Sequence, residues 1–259
     1  MKKKEIFYKI ADVVRAVKGQ PPCRFTSAII VAAGNSTRMC GGSKQMAMLD
    51  GMPVVLRALR AYQQCPEIDE IIVVAREDEI ACYYEFRDKY RLTKLKHVVR
   101  GGADRQESVL NGLKKVRENA GFVAIADGAR PLTTPEMVSR VCHNAYLFGG
   151  ASAACRVVDT VKTADSNGYI KSTEDREKIW LAQTPQVFSL KIYRAAAYSA
   201  LEKGFRATDD NSLVERIHRR VKLVDCGIDN IKITTADDLI RAQLILRTRD
   251  ELLKKGDPS

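Results

Sequence analysis

Three short runs of apolar residues constrain the fold of this chain more than any other feature of its sequence. They lie at residues 27–32 (SAIIVA), Glu70–Ala75 (EIIVVA) and Phe122–Asp127 (FVAIAD). Continuous apolar runs are typical of strands that are buried on both faces, because a strand with one solvent-exposed face alternates apolar with polar residues. We therefore predict a parallel sheet that is covered on both sides.

The segments between these strands have the spacing of helices. We predict helices at residues 54–62, at 107–116 and after the N-cap residue Thr134, and further strands at 96–100, 151–157, 180–183 and 221–226. A last helix follows Thr235 and carries Asp237 and Asp238 in its first turn. This alternation predicts the α/β class, with a single three-layer, Rossmann-like domain and a mostly parallel sheet.

Two segments fall outside this alternation. Residues 159–178 are polar and contain a turn at residues 165–168, so we predict a protruding β-arm at about 158–180. Residues 1–25 carry apolar side chains at helical spacing, which predicts an N-terminal helical extension. The main domain then spans residues 26–250.

Composition narrows the class of protein. The formal net charge is +11, which suits either nucleic acid or polyphosphate substrates. No nucleic-acid-binding motif is present, and we favour a small anionic substrate. The seven cysteines include no C-x-x-C pair, as expected for reduced thiols in the cytoplasm, and no apolar run is long enough to span a membrane.

The segment that leaves the first strand is suited to binding phosphates. Ala32, Ala33 and Gly34 are small enough to let a nucleotide approach the backbone, and Arg38 and Lys44 follow with positive charge. Positive charge is needed at a phosphoryl group in transfer, where negative charge develops. The segment contains neither the G-x-G-x-x-G dinucleotide fingerprint nor the phosphate-binding P-loop motif.

The pattern A-A-G-x-x-x-R-M followed by S-K-Q resembles the signature of nucleotidyltransferases with a glycosyltransferase-A-like fold. The resemblance implies that Ala32, Ala33 and Gly34 bind the nucleotide and that Arg38 and Lys44 stabilise the pentacoordinate phosphorus. The family often has proline immediately before this lysine, where this chain has Ser43.

Two later segments extend the resemblance. The first is G-G-A-D-R-Q-E-S-V, in which Gly102 and Ser108 correspond to residues that frame cytosine and ribose; Ser108 is also predicted to cap the next helix. The second is A-D-G-A-R-P, in which Asp127 is expected to bind Mg²⁺ or a substrate hydroxyl, and Arg130 to pair with a phosphate or with an acidic neighbour. The family usually has histidine where this chain has Ala126, and alanine where it has Gly128.

The arm and the C-terminal region carry the most specific motifs. They are D-T-V-K, D-R-x-x-x-W-x-x-Q-T-P-Q and D-N-I-K-I-T. Together with the earlier segments they resemble the 2-C-methyl-D-erythritol 4-phosphate cytidylyltransferase family over residues 26–248. The resemblance implies a homodimer in which Thr160 and Arg176 reach the partner's active site. It also implies that Thr184 binds substrate, that Lys232 positions the acceptor phosphate and that Asp229 helps to hold the metal.

The implied activity is transfer of CMP from CTP to 2-C-methyl-D-erythritol 4-phosphate, with release of pyrophosphate and with Mg²⁺ as the divalent metal. That reaction belongs to isoprenoid precursor biosynthesis by the non-mevalonate route. Two alternatives stay open: a ribitol 5-phosphate cytidylyltransferase, and a non-catalytic nucleotide- or RNA-binding module. We interpret the segment A-T-D-D at residues 207–210 as mainly structural, either supporting the site or capping a helix.

Overall fold

The computed structural model describes residues 23–34 and 43–254, and it places helices on both sides of a central sheet. The strands are β1 (Thr26–Val31), β2 (Met48–Leu49), β3 (Met52–Pro53), β4 (Glu70–Ala75), β5 (Leu95–Arg100), β6 (Phe122–Asp127), β7 (Gly150–Arg156), β8 (Lys162–Ala164), β9 (Ile170–Thr173), β10 (Trp180–Ser189) and β11 (Lys222–Asp225). The helices are α1 (Val54–Gln64), α2 (Ile80–Lys89), α3 (Arg105–Leu113), α4 (Pro135–Phe148), α5 (Leu190–Glu202), α6 (Asp210–Arg216) and α7 (Ala236–Lys254). Most of the predicted extension, residues 1–22, lies outside the described part.

The central sheet has seven strands in the order β11-β7-β10-β6-β1-β4-β5. Strand β10 runs antiparallel to both of its neighbours, and the other neighbouring pairs are parallel. The predicted α/β class with a mostly parallel sheet is therefore confirmed. The chain passes from β1 to β4 on one side and later returns to β6 on the other, which makes the carboxyl end of β1 a topological switch point.

Side chains that alternate along the central strands fill two separate cores. In β1, Ala28 and Ile30 pack with α1 and α4 on one face, whereas Ile29 packs with α3 and α5 on the other. These three residues have no solvent exposure. Burial on both faces explains why the strands are continuously apolar, and it produces the three predicted layers.

Local sequence signals account for both ends of α4. The Thr134 hydroxyl accepts a hydrogen bond from the Met137 amide, and Pro135 occupies the first helical turn, as predicted. The helix ends at Gly149, whose φ of 83° lies in the left-handed region that glycine adopts without strain.

Helices α2 and α5 were not anticipated from the sequence, and α6 was anticipated only as a helix that residues 207–210 could cap. In α2 the only fully buried side chain is that of Tyr83, so the helix has a weak apolar periodicity.

Helix α3 begins at Arg105, two residues before the predicted start at Glu107, because the Asp104 carboxylate caps it by accepting from the Glu107 amide. Ser108 therefore lies inside the helix, and its predicted capping role is wrong.

The segment predicted as an arm contains the two-stranded hairpin of β8 and β9, and every side chain in both strands is exposed. The Gly168 amide donates to the Asp165 carbonyl, which closes the predicted turn. Among the described residues, no helix has both the length and the apolar composition needed to cross a bilayer.

Candidate active site

A cavity of about 420 Å³ opens at the carboxyl ends of the central parallel strands. Val31 pairs in register with Asp127, so the ends of β1 and β6 lie side by side. Ala75 likewise pairs with Arg100, which places the glycine segment after β5 at the same edge. The cavity is lined by Val31, Ala33, Gly34, Lys44, Gln45, Gly102, Ala103, Asp104, Arg105, Ser108, Asp127, Ala129 and Lys232. Seven of the predicted site residues therefore share one cavity.

The carboxylate of Asp127 lies among three cationic side chains. The Lys232 ammonium is 2.8 Å from Asp127 Oδ2, and Arg105 Nε is 3.4 Å from Oδ1. Arg130 Nε lies 4.0 Å from Oδ2. The Asp127 amide donates to the Thr184 hydroxyl, which fixes the end of β6 against β10. Asp127 is thus a buried anion with three cationic side chains around it.

These neighbours determine the ionisation of Asp127. Burial by itself would raise the pKa of this carboxyl group, but the charges of Lys232 and Arg105, followed by that of Arg130, lower the pKa to about 2. Asp127 is therefore an anion at neutral pH. Burial would also lower the pKa of Arg105, and the carboxylates of Asp210 and Asp127 reverse this and raise it.

A second cavity of about 160 Å³ adjoins the first and shares Arg105, Asp127 and Lys232 with it. Arg130 and Thr184, both predicted to bind substrate, line this second cavity. The two cavities together form a groove that has Asp127 and Lys232 in the middle.

The loop that carries Lys232 is held by a residue that was not among the predicted site residues. Asn230 is fully buried, and its side-chain amide donates to Gln183 Oε1 and to the Thr184 carbonyl. Its Oδ1 accepts from the Thr133 hydroxyl, and its backbone carbonyl accepts from Arg130. This anchor ties the loop to β10 and to the turn after β6, and so brings Lys232 to Asp127.

The glycine segment approaches the end of the first strand very closely. A Cβ atom built on Gly101 would lie 2.3 Å from Ala33 Cβ and 3.2 Å from Ser108 Oγ. The Gly102 amide donates to Ser108 Oγ at 3.0 Å. The close approach therefore depends on Gly101, whereas Gly102 was the glycine predicted from the motif. Ala32, also predicted, is fully buried beside the cavity.

Besides Ala32, three predicted site residues within the described part of the chain line neither cavity. Thr160 and Arg176 lie in the exposed segment near the hairpin, where Arg176 donates to the Val158 carbonyl. The Asp229 carboxylate is half exposed, and Arg249 Nη2 lies 3.8 Å from it. Arg38 lies outside the described residues. The assigned roles of these residues stay predictions.

Arg105 lines the cavity, although it was not predicted to belong to the site. It occupies the first position of α3, where the helix dipole disfavours positive charge. This placement could have indicated a role for Arg105 from the sequence alone, because positive charge at a helix N-terminus is unfavourable unless another interaction compensates for it. In the structure, the two carboxylates of Asp127 and Asp210 provide that compensation.

The structural role predicted for residues 207–210 is confirmed in part, since Asp209 caps α6 by accepting from the Ser212 amide.

Comparison with known proteins gives a consistent picture. The family model described as IspD, 2-C-methyl-D-erythritol 4-phosphate cytidylyltransferase, matches residues 26–248. An enzyme of that name from Syntrophus aciditrophicus is 44% identical over 225 residues, which are 86% of this chain and 96% of the relative. Another from Caldanaerobacter subterraneus is also 44% identical, over 85% of this chain and 98% of the relative.

Solved structures agree. The crystal structure of 4-diphosphocytidyl-2C-methyl-D-erythritol synthase from Anaerococcus prevotii matches with a TM-score of 0.78 and 32% identity, over 86% of this chain and 96% of that one. A 2-C-methyl-D-erythritol 4-phosphate cytidylyltransferase from Thermus thermophilus matches with a TM-score of 0.70 and 27% identity, over 86% of this chain and 99% of that one. The family model over residues 26–248 and the identity to these relatives show that this chain belongs to the 2-C-methyl-D-erythritol 4-phosphate cytidylyltransferase family.

Proposed function

We propose that this chain transfers CMP from CTP to 2-C-methyl-D-erythritol 4-phosphate and releases pyrophosphate. The observation that carries the proposal is the single cavity in which Lys44 and Lys232 line the same space as Asp127, at the carboxyl edge of the sheet. Two lysines and an arginine around a phosphate-sized space suit a reaction between two anionic substrates. The family of the chain supplies the identity of the substrates.

In this proposal CTP occupies the half of the groove formed by Gly34, Gly102 and Ser108. The small lining residues of this half allow a nucleotide to approach the backbone closely. Lys44 lies beside the phosphates, and Arg38 is assigned to them from the sequence motif. Both cations stabilise the negative charge that grows on the α-phosphoryl oxygens and on the departing pyrophosphate.

The acceptor occupies the other half, with its phosphate at Lys232. One oxygen of that phosphate forms a bond to the α-phosphorus of CTP, while the bond from this phosphorus to the bridging oxygen of pyrophosphate breaks. The attacking oxygen is already anionic, so no side chain has to remove a proton. Catalysis then consists of positioning and of charge neutralisation.

Nucleotidyltransferases generally use a divalent metal ion, and the residues present fit Mg²⁺. The described residues contain no group of three or more His, Cys, Asp or Glu side chains that could hold a metal by themselves. Mg²⁺ in nucleotide sites takes most of its ligands from phosphates and water, and one ionised carboxylate completes the set. We assign that role to Asp127, and Asp229 stays a predicted second ligand. When bound, the ion would neutralise charge on the phosphates.

The arm suggests how a second copy of the chain contributes. Val158, Tyr169 and Ile170 are 70%, 73% and 68% exposed, which is unusual for large apolar side chains in a short polar segment. We propose that a partner subunit covers them in a homodimer and that Thr160 and Arg176 then reach the partner's groove. The six described cysteines are free, in keeping with a cytoplasmic enzyme.

The test of the reaction is pyrophosphate release from CTP and Mg²⁺ by the purified chain, with methylerythritol phosphate in one reaction and ribitol phosphate in another. Release with methylerythritol phosphate alone is the expected result. Release with ribitol phosphate alone would reassign the acceptor. Binding of CTP without release in either reaction would instead favour a non-catalytic nucleotide-binding protein.

The test of the dimer uses two inactive variants. In a mixture of Lys44→Ala and Arg176→Ala chains, each mixed dimer contains one groove with both defects and one intact groove. Random pairing in a two-fold dimer should therefore restore about a quarter of the wild-type activity. No recovery in mixtures from which differently tagged variants co-purify as mixed dimers would contradict the role of Arg176 across the interface.

A further inference from the structure

We propose that Asp210 and Tyr193 are positioning residues for Arg105 and, through it, for Asp127. Neither residue lines the groove cavities, and both lie behind Arg105 as seen from the substrates. The inference rests on the proposed cytidylyl transfer and extends it to the residues that support the reaction centre.

The guanidinium of Arg105 lies between two carboxylates. Its Nη1 is 2.7 Å from Asp210 Oδ2, and its Nε is 3.4 Å from Asp127 Oδ1. The three residues belong to α3, α6 and β6, so the arrangement joins both helices to the central sheet. Arg105 lines both cavities, whereas the Asp210 side chain is only 2% exposed. The Asp210 carboxylate therefore reaches the groove through Arg105.

Hydrogen bonds with Tyr193 and Gln186 fix the position of Asp210. The Tyr193 hydroxyl donates to Asp210 Oδ1 at 2.5 Å, and the tyrosine ring is stacked on Phe188 with centroids 5.5 Å apart. The Asp210 amide donates to Gln186 Oε1, a side chain on the central strand β10. Since both the backbone and the carboxylate are fixed, Asp210 presents Oδ2 to Arg105 in one orientation.

Charge explains why this arrangement matters for the reaction. Arg105 and Lys232 both face the Asp127 carboxylate, and Arg105 divides its interaction between Asp127 and Asp210. Without the charge of Asp210, Arg105 would be drawn to Asp127 alone and would compete there with Lys232. Asp210 thus keeps Asp127 available to Lys232 and to the substrates.

A purely local role does not explain Asp210. The carboxylate that caps α6 belongs to Asp209, which accepts from the Ser212 amide and hydroxyl. Asp210 follows it and points its carboxylate away from the cap, toward Arg105. Asp210 also places negative charge in the first turn of α6, where the helix dipole favours it, but burial of that carboxylate is costly unless it is paired, and its ion-pair partner is Arg105.

The test compares Asp210→Asn with Ser152→Ala as a matched control. Ser152 is a buried partner of Asn211, the next residue in α6, and it makes no hydrogen bond to Arg105. Both substitutions should lower thermal stability. We expect kcat for pyrophosphate release to fall about tenfold in Asp210→Asn and to stay at the wild-type value in Ser152→Ala, because small displacements of reacting groups strongly reduce turnover. Tyr193→Phe should show a smaller decrease, about threefold.

A double variant separates positioning from packing. If Asp210 acts through Arg105, Asp210→Asn should have little further effect on kcat in an Arg105→Lys background. Wild-type kcat in Asp210→Asn, or additive effects of the two substitutions, would overturn the inference while leaving the proposed function intact. Absence of pyrophosphate release by the wild-type chain would overturn both.

Discussion

Lys232 and Asp127, 105 residues apart in the chain, meet with Nζ and Oδ2 separated by 2.8 Å. The lysine comes from a loop without regular secondary structure, and the aspartate ends a central strand. Their meeting defines the middle of the groove.

We expect Lys232→Met to reduce kcat/KM for the acceptor about 10²-fold, because it removes a preorganised charge while retaining most of the aliphatic stem. The KM for CTP should change much less. Steady-state pyrophosphate release at varied concentrations of each substrate would measure both effects. Lys222→Met, an exposed lysine on the edge strand β11, is the matched control. An equal loss in the control would contradict a specific role for Lys232.

The low pKa of Asp127 predicts how stability depends on pH. Its folded pKa of about 2 lies below its usual value of 3.8, so ionised Asp127 stabilises the fold above pH 3.8, and this stabilisation is lost as the pH falls toward 2. Between roughly pH 5 and pH 3 the wild type should lose about 1 kcal/mol more than Asp127→Asn. Urea denaturation at several pH values would measure this difference. Parallel curves for the two proteins would show that the charged neighbours do not depress this pKa.

Asn230→Ala should destabilise the chain by about 2–3 kcal/mol, because the buried Thr133 and Gln183 side chains lose their partner. The turnover should also fall, since the same loop carries Lys232. Denaturant melts together with the pyrophosphate assay would report both. Asn144→Ala removes an exposed bond within α4 and should change stability by about 0.5 kcal/mol or less. A mild effect at Asn230 would mean that the loop has another anchor.

Gly101→Ala should raise the dissociation constant for CTP, because the new methyl group would be placed 2.3 Å from Ala33 Cβ and would force apart the two segments to which we assign the nucleotide. The expected increase is about tenfold, with a destabilisation of about 1–3 kcal/mol from overpacking. Calorimetric titration of CTP, compared at a temperature where both proteins remain folded, would separate the two effects. Unchanged CTP affinity would show that the segments can move apart without consequence.

The main strands and the outline of the site could be predicted because their signals are local. Glu70–Ala75 and Phe122–Asp127 have the predicted bounds, since a strand buried on both faces needs an apolar side chain at nearly every position. The cap of α4 was also local, because Thr134 and Pro135 are adjacent in sequence. Helix α2 was missed because most of its side chains are not buried, so its pattern carried little information.

The sequence by itself determined the fold class, the order of most elements and the motifs that identify the family. It did not determine which side chains meet. Tertiary structure decided three features of the site. It placed Arg105 between Asp127 and Asp210, and it anchored the Lys232 loop through Asn230. It also kept Asp229 away from the groove. The physical reason is that these contacts join residues far apart in the chain, whose distances depend on how the sheet and helices pack and leave no periodic or local signal in the sequence.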